Sequence, residues 1–460
     1  MKRYPKIGLL PLYLKLYDDT SPAIRSQFDP FLDTVRTGLG GRGATVVSAP
    51  VCRAVAEVKA AIALFAKQDV DCVVTVHLAY SPSLESAPAL AKTKWPLIVL
   101  DTTMDAQFGP QVDPARIMFN HGIHGVMDFC SILRRHGRAF EVVAGHVTES
   151  NALERVTYLA EAAVAARRFR GARTVRLGKS FPGMGDFAVA EPVLRRRLGI
   201  EVEQLELADL TREMKAVTPA AIAAEVAEDR RLYKVAIDEA RHRQTVHAGL
   251  GLRRLLARRD YTGFSVNFQA FDEKGGPAMP FAEISKAMAR GIGFGGEGDV
   301  FTGALVGALI TGFGVATFTE IFCSDWRGDS LFLSHMGEIN PVVAASRPLL
   351  APRDFAFLTV KTAALVCGVK AGPAVYVNLV PGPDETFDFI VAPVEMLADT
   401  KRKDLQQCVR GWMRPRLPVP QFLEAYSRHG GTHHGALVLG DRAEALCAFA
   451  RFAGVGLTTL

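Results

Sequence analysis

Residues 300–319 read VFTGALVGALITGFGVATFT, a run with no charged side chain. Such a run is long enough to span a bilayer, which takes about 20 apolar residues. Glycines interrupt it at 303, 307, 312 and 314, however, and acids flank it, Asp299 before and Glu320 after. It reads as a buried helix followed by a buried strand, with no membrane segment, and it separates two kinds of sequence.

On the N-terminal side strands and helices alternate. Strands are expected at 6–13, 44–48, 72–77 and 96–100, with helices at 24–39 and 54–67. Short apolar runs separated by helical patterns indicate βαβ units and a parallel sheet. Ligands of such sheets gather at the carboxyl ends of the strands. Apolar residues at 153, 156, 159, 160, 163 and 164 recur with a helical period and predict a helix over 151–168. A second α/β set opens with a strand at 174–177. It continues through the loop 178–186 (GKSFPGMGD) into a helix over 187–198 and a long polar-faced helix over 219–258. The loop does not match the dinucleotide GxGxxG pattern, although its glycines let the backbone approach a ligand.

On the C-terminal side the strands become short and hairpin-like, at 316–323, 331–336, 357–361, 374–380 and 387–394, with helices near 419–428 and 441–453. The expected fold class is α/β: two doubly wound parallel-sheet domains, 1–168 and 169–317, followed by a β-rich C-terminal domain, 318–460, that completes the site. A chain of 460 residues suits this division, at about 100–200 residues per domain.

The composition is globular, 49% hydrophobic and 22% charged, with a mild net charge of +6. Arginines cluster at 167, 168 and 170, at 195 and 197, and at 253, 254, 258 and 259, on helix-like segments that read as solvated faces. A nucleic-acid surface wants a concentrated basic patch with interleaved aromatics, and no such pattern is present. Seven cysteines without CxxC spacing argue against a disulfide framework and a structural zinc site, and suit a reducing compartment, the cytoplasm. The N-terminal apolar run is too short, and too broken by proline, for a signal peptide.

Three groups sit where a purely structural account is strained. Glu297 lies in GGEGD (295–299), where glycines free the backbone to project the carboxylate into a cavity; the structural alternative is an acid at a helix N-terminus. Glu320 alternates with Phe318 and Phe322 on one strand face. An ionised carboxylate there is costly unless it is paired or bound to a metal. His335 shares a face with Leu331 and Leu333. If residues 325–330 form the connecting loop, Ser324 pairs with Leu331 and Glu320 faces His335, a register that a slip of one residue would undo. A fourth element, HGGTHHG (429–435), holds three histidines among glycines and suggests ligation or proton handling; either His433 or His434 satisfies it.

Two carboxylates and two imidazoles suit Mn²⁺, with Co²⁺ or Ni²⁺ as alternatives. An octahedral ion keeps positions open for adjacent oxygens of a polyol and polarises a carbonyl and its neighbouring hydroxyl. Two flanking acids then move a proton between C2 and C1 through an enediol. That is aldose–ketose isomerisation, without an organic cofactor.

These residues, in this order, resemble those of the L-arabinose isomerase / L-fucose isomerase family. GIGFGGEGD (291–299) is similar to that family's acid-bearing loop, Phe318-Thr319-Glu320 and Ser334-His335-Met336 to its second acid and first histidine, and GGTHH (430–434) to its closing motif. The resemblance implies Glu297, Glu320, His335 and His434 as metal ligands and the two glutamates as the acid/base pair, with His433 the alternative to His434. NHGIHG (120–125) resembles a family loop whose histidine reaches the neighbouring subunit's active site, which makes His124 a substrate candidate. Met184, Phe271 and Met336 fall where the family lines its sugar pocket. The implied fold is α/β, α/β and β-rich, and the implied assembly is a homo-oligomer, commonly a hexamer.

The resemblance departs at 11–15 (PLYLK) and at 77–81 (HLAYS), where sugar contacts would fall, and the chain ends shortly after its last helix, where arabinose isomerases continue. Pentoses, deoxyhexoses, other polyols and acidic sugars are therefore all open as substrates. An epimerase of the same family needs the same acids. A non-catalytic sugar-binding protein gains little from two inward carboxylates.

Overall fold

The apolar runs of the first third form five parallel strands: β1 (Lys6–Leu12), β2 (Thr45–Ser48), β3 (Cys72–His77), β4 (Leu97–Asp101) and β5 (Glu141–Ala144), in the order β2-β1-β3-β4-β5. The order reverses at β1, the mark of a doubly wound sheet. Central β1, β3 and β4 are buried almost throughout, while the edges β2 and β5 are partly exposed, as a sheet covered on both faces requires. Leu10, Leu12, Val73 and Val99 pack with Val58 and Phe65 of helix Val55–Gln68 and Phe129 and Leu133 of helix Gly122–Arg135. The helix expected at 24–39 is instead a 3₁₀ segment, Pro22–Phe28, followed by an α-helix, Asp29–Gly40, with Pro30 in its first turn, where a missing N–H costs nothing.

The computed structural model describes residues 2–271, 276–355, 358, 360–400 and 402–460. These strands and the helices packed on them belong to one of its two units, Arg3–Val164, and the elements from β6 onward to the other, Ala165–Leu460.

In the second unit β6 (Arg173–Leu177) and β7 (Glu201–Leu205) form a second parallel sheet with β9 (Gly263–Val266) and β10 (Gly293–Gly296), in the order β10-β9-β6-β7. This sheet also reverses, at β6. The helix expected at 187–198 begins only at Glu191 and ends in a π-turn, Leu194–Leu198, because Pro192 takes a first-turn position. The single helix expected over 219–258 is two helices, Pro219–Leu232 and Glu239–Leu256. Between them β8 (Lys234–Val235) leaves the helical path to pair with a strand far ahead in sequence, and Asp238 caps the second helix by accepting from the Arg241 amide at 2.8 Å. The break contains no Gly or Pro, so local pattern does not announce it.

The quoted run is a helix, Val300–Phe313, with every residue but Thr311 buried, and then β11 (Ala316–Asp325). Among the described residues no helix is long and apolar enough to cross a membrane. The glycines are explained by backbone contact. A Cβ at Gly303 would lie 2.8 Å from the Phe264 carbonyl, and one at Gly263 2.5 Å from the Gly303 carbonyl. A Cβ at Gly307 would press on the Thr262 carbonyl, and one at Gly293 on the Gly307 amide. The helix therefore lies directly on β9 and β10.

β11 opens an antiparallel barrel with β12 (Ser330–Ser334), β15 (Gly372–Pro381), β16 (Phe387–Met396), β17 (Gly411–Pro415) and β18 (His434–Leu439). The ring runs β15-β18-β11-β12-β17-β16, and β15–β16 pairing closes it; β19 (Gly456–Thr459) adds in parallel to β16. The strand expected at 357–361 falls partly outside the described residues. Around it β13 (Leu349–Arg353) and β14 (Thr362–Val366) make a small sheet with β8. The arginine clusters meet acids: Arg253 pairs with Glu225 and Glu283, Arg254 and Arg258 with Glu213, Arg197 with Glu385, and Arg168 with Asp260.

Two outcomes follow from these contacts. Gly307→Ala should destabilise the protein by about 1–3 kcal/mol or more in urea unfolding, since the obstacle is backbone that cannot rotate away. His77 is buried in the first unit, its Nδ1 2.7 Å from Ser81 Oγ, and burial pushes its pKa down to about 3. The fold keeps this imidazole neutral, so its contribution is complete above the ordinary histidine value of about 6.5 and is lost as pH falls from there toward 3. Acid unfolding of His77→Gln should be shallower than wild type across that window.

Candidate active site

β11 pairs on both sides, and both pairings meet at Glu320. Toward β18, Glu320 lies directly opposite His434. Toward β12, Ser324 pairs with Leu331, but a bulge between Ile321 and Cys323 shifts the ladder so that Glu320 opposes Ser334. The expected Glu320–His335 register is therefore off by one. The extra residue, Phe322, is 50% exposed instead of sharing the inner face with Phe318 and Glu320, as a bulge permits. His335, just past the end of β12, still reaches the acid: its Nε2 lies 3.1 Å from Glu320 Oε1.

Glu297 arrives from the other sheet. β10 ends in a turn in which Glu297 (φ 58°) and Gly298 (φ 98°) are both left-handed. That conformation is costly for a glutamate and turns its side chain back toward the barrel. The turn is held by the Phe181 amide donating to the Glu297 carbonyl at 2.9 Å and the Gly298 amide donating to Ser265 Oγ at 2.8 Å. The helix N-cap is Asp299, which accepts from the Thr302 amide at 2.9 Å, so Glu297 is free of that duty. Glu297 Oε2 lies 3.5 Å from His433 Nε2 and 3.6 Å from His434 Nε2. Gly296 leaves the necessary space, since a Cβ there would come within 2.8 Å of His434 Nε2 and 3.3 Å of His335 Nε2.

Each of the three imidazoles is anchored through Nδ1 to its own carboxylate: His335 to Glu338 at 2.5 Å, His433 to Asp186 at 2.6 Å and His434 to Asp299 at 3.0 Å. Each Nε2 then faces Glu320 or Glu297. Carboxylates that orient histidines in this way are the usual outer partners of metal-ligating imidazoles. Reading the sequence for ligands missed all three. Asp299 carries a legible helix-start signal, and Asp186 closes the GKSFPGMGD loop, but nothing local pairs either with a histidine. Phe318 packs edge-on between the rings, 4.8 Å from His335 and 5.2 Å from His434.

The electrostatics are unbalanced. Burial works to raise Glu297, but the neighbouring imidazoles of His433 and His434 hold it at about 2. Glu320 is likewise opposed by burial and held well below the carboxylate range by His335 and His434. Burial would lower the imidazoles, yet the surrounding acids push His335 up to about 10, His433 up to about 9 and His434 well above its ordinary value. Asp186, Glu297, Asp299, Glu320 and Glu338 outnumber the three histidines, so negative charge is in excess even when every ring is protonated. His434 Nε2, fully buried, makes no hydrogen bond. Donor atoms of Glu297, Glu320, His433 and His434 all lie within 4.8 Å of one another. The donor set, the unpartnered nitrogen and the space kept by Gly296 fit a divalent cation.

The other sequence candidates sit on separate elements. His124 is exposed on helix Gly122–Arg135 of the first unit, its ring edge-on to His121 with the ring centroids 6.0 Å apart. Met184 is half-buried in the loop two residues before Asp186, Phe271 is buried at the end of the 3₁₀ turn Phe268–Phe271, and Met336 follows His335 with its carbonyl accepting from Arg353.

Residues 182–311 match the family model of the L-arabinose isomerase central domain, and residues 315–456 that of the L-arabinose isomerase C-terminal domain. Together these stretches carry all eight charged and imidazole groups of the cluster. L-arabinose isomerase 1 of Bacillus licheniformis is 27% identical over 404 residues, covering 85% of this chain and 81% of the relative. L-arabinose isomerase of a Nocardioides species is 29% identical over 398 residues, covering 82% and 78%. That of Herpetosiphon aurantiacus is 28% identical over 411 residues, covering 85% and 80%.

Asp299 serves the helix and His434 at once. Asp299→Ala should cost about 2–4 kcal/mol in denaturant unfolding, the sum of a lost cap and a lost charge-assisted bond. Asp299→Asn, which can still cap, should cost distinctly less.

Proposed function

We propose that this chain, which belongs to the L-arabinose isomerase family and is an aldose–ketose isomerase, interconverts a pentose or deoxyhexose with its ketose at a divalent cation held by Glu297, Glu320, His335 and His434. The observation that carries this reading is the convergence of the Glu320 and Glu297 carboxylates, 3.2 and 3.6 Å away, on the fully buried Nε2 of His434. Two carboxylates and two imidazoles favour Mn²⁺, with Co²⁺ or Ni²⁺ able to substitute. The bound cation supplies polarisation of the substrate carbonyl and its neighbouring hydroxyl.

The chain's own groups do the rest. Glu297 and Glu320 reach the site from different elements, one from the turn after β10 and one from β11, and so flank a substrate from two directions. One carboxylate takes the proton from C2 and passes it to the other, which delivers it to C1, while the hydroxyl proton passes from O2 to O1 through an enediol, so that both carboxylates end ionised as they began. Atoms and electrons balance within the sugar, so no oxidant is needed. Asp299 and Glu338 hold the rings of His434 and His335 in place. His433, held by Asp186 and partly exposed, lines the open side of Glu297 and contacts substrate.

L-arabinose, the sugar in the relatives' names, is the first substrate to test. The divergent segments at 11–15 and 77–81 make a panel of pentoses, deoxyhexoses and acidic sugars the proper comparison. The cytoplasm is the expected compartment, and a homo-oligomer, a hexamer by family likeness, the expected assembly. Exposed Phe322 and Trp326 on the β11–β12 hairpin support association, which light scattering measures directly.

Glu320→Gln should lower isomerisation by about 10²–10⁴-fold, the usual contribution of a general acid–base group, with an unchanged melting profile. Product formation followed by NMR, with metal analysis on the same sample, checks this. Undiminished turnover in the variant, or by the unmodified chain in excess chelator, would refute the mechanism.

A further inference from the structure

The segment that carries His433 and His434 is not held by the barrel ladder alone. Pairing between β15 and β18 runs from Ala374–Leu439 to Val377–Ala436 and stops there. The next residue of β15 is Asn378, fully buried and paired on its other side with Ile390 of β16. Its side chain takes over where the backbone ladder ends. Asn378 Oδ1 accepts from the Thr432 amide at 3.0 Å, and Nδ2 donates to Thr432 Oγ1 at 2.7 Å and to the His434 carbonyl at 2.5 Å. Thr432 Oγ1 in turn donates to the His434 carbonyl at 2.9 Å, and Tyr426 Oη donates to the Thr432 carbonyl at 2.5 Å. One amide thus grips the residues on both sides of His433. Each of its atoms has only one assignment that satisfies its partners, because Oδ1 meets a donor and Nδ2 meets two acceptors.

We infer that Asn378 is a positioning residue for the reaction: by clamping Thr432 and His434 it fixes where the Nε2 atoms of His433 and His434 stand relative to Glu297 and Glu320. The inference rests on the metal-dependent reading above. Backbone at the end of a strand ladder ordinarily frays, and a site of this kind tolerates little displacement, about 0.5 Å before function suffers. The clamp removes the fraying at the position where the site needs it least. It acts through main chain, which distinguishes it from Asp186 and Asp299, each of which acts on a ring.

The test is Mn²⁺ binding by the full-length protein, titrated by electron paramagnetic resonance, alongside thermal unfolding. Asn378→Asp keeps the shape but turns an acceptor toward the His434 carbonyl and Thr432 Oγ1; Thr432→Val removes the hydroxyl that links the two. Both should bind Mn²⁺ about 10–100-fold more weakly, the range for lost outer partners of ligands. Val377→Ala, a buried neighbour on the opposite face of β15, should lower the melting temperature and leave Mn²⁺ affinity unchanged. If Asn378→Asp fails to fold, Thr432→Val carries the test alone. Wild-type affinity in the clamp variants, or an equal loss in Val377→Ala, overturns the positioning role. Absence of Mn²⁺ binding by the unmodified chain instead overturns the metal reading and this inference with it.

Discussion

Helix Val300–Phe313 lies against β9 and β10 at backbone contact, and the site depends on that closeness. Side chains larger than hydrogen at 263, 293, 303 and 307 would push the helix outward. The helix begins at Asp299, immediately after the left-handed Glu297–Gly298 turn, so an outward shift of its first turn would move Glu297 and Asp299 together. One of these faces the barrel acids and imidazoles, and the other holds the His434 ring. The glycines that make the run too irregular for a membrane helix are the ones that bring two sheets' worth of functional groups to one point. Packing density in protein interiors leaves little slack to correct such a displacement elsewhere.

Much of this was legible in the residues, for reasons that differ from place to place. The parallel strands of the first third announce themselves as short apolar runs, because a strand buried on both faces has no polar side to hide. Glu320 stood out because a carboxylate between two phenylalanines has no cheap structural excuse. The break at 233–237 was not legible, since Tyr233–Ile237 leaves the helix only to meet β13, a partner more than a hundred residues away. The bulge at Phe322 was also hidden. Strict alternation predicts an inward Phe322 and a direct Glu320–His335 pair, and only the pairing of β12 with both β11 and β17 shows where the ladder slips. The orienting carboxylates escaped for a similar reason: Asp186 and Asp299 are close to His433 and His434 in space and remote in sequence, and a single chain read in order carries no trace of such pairs.

The cluster is electrostatically uncomfortable as it stands. Five acids surround three imidazoles in a region buried except on the side of His433 and Asp186, and close-set carboxylates repel strongly where the effective dielectric is low. The scaffold tolerates the repulsion because the groups sit on elements held by other means: a barrel closed by β15–β16 pairing, a capped helix, and an asparagine that replaces the ladder where it ends. An arrangement that costs stability and is nonetheless so thoroughly braced is the pattern expected of a working site.

Closure of the barrel also has a temporal side. Glu297, Glu320, His335 and His434 are distributed along the chain such that the last imidazole enters on β18, which must pair with both β11 and β15 before the ring exists. Contacts between segments so far apart form late, because the loop entropy must be spent first. A nascent chain emerging with Glu297 and Glu320 exposed therefore has no complete cluster of acids and imidazoles until its C-terminal strands have been made and docked. On the proposed metal reading, selection among cations is postponed to a nearly finished fold, whose geometry, and not the chemistry of loose carboxylates, would do the choosing.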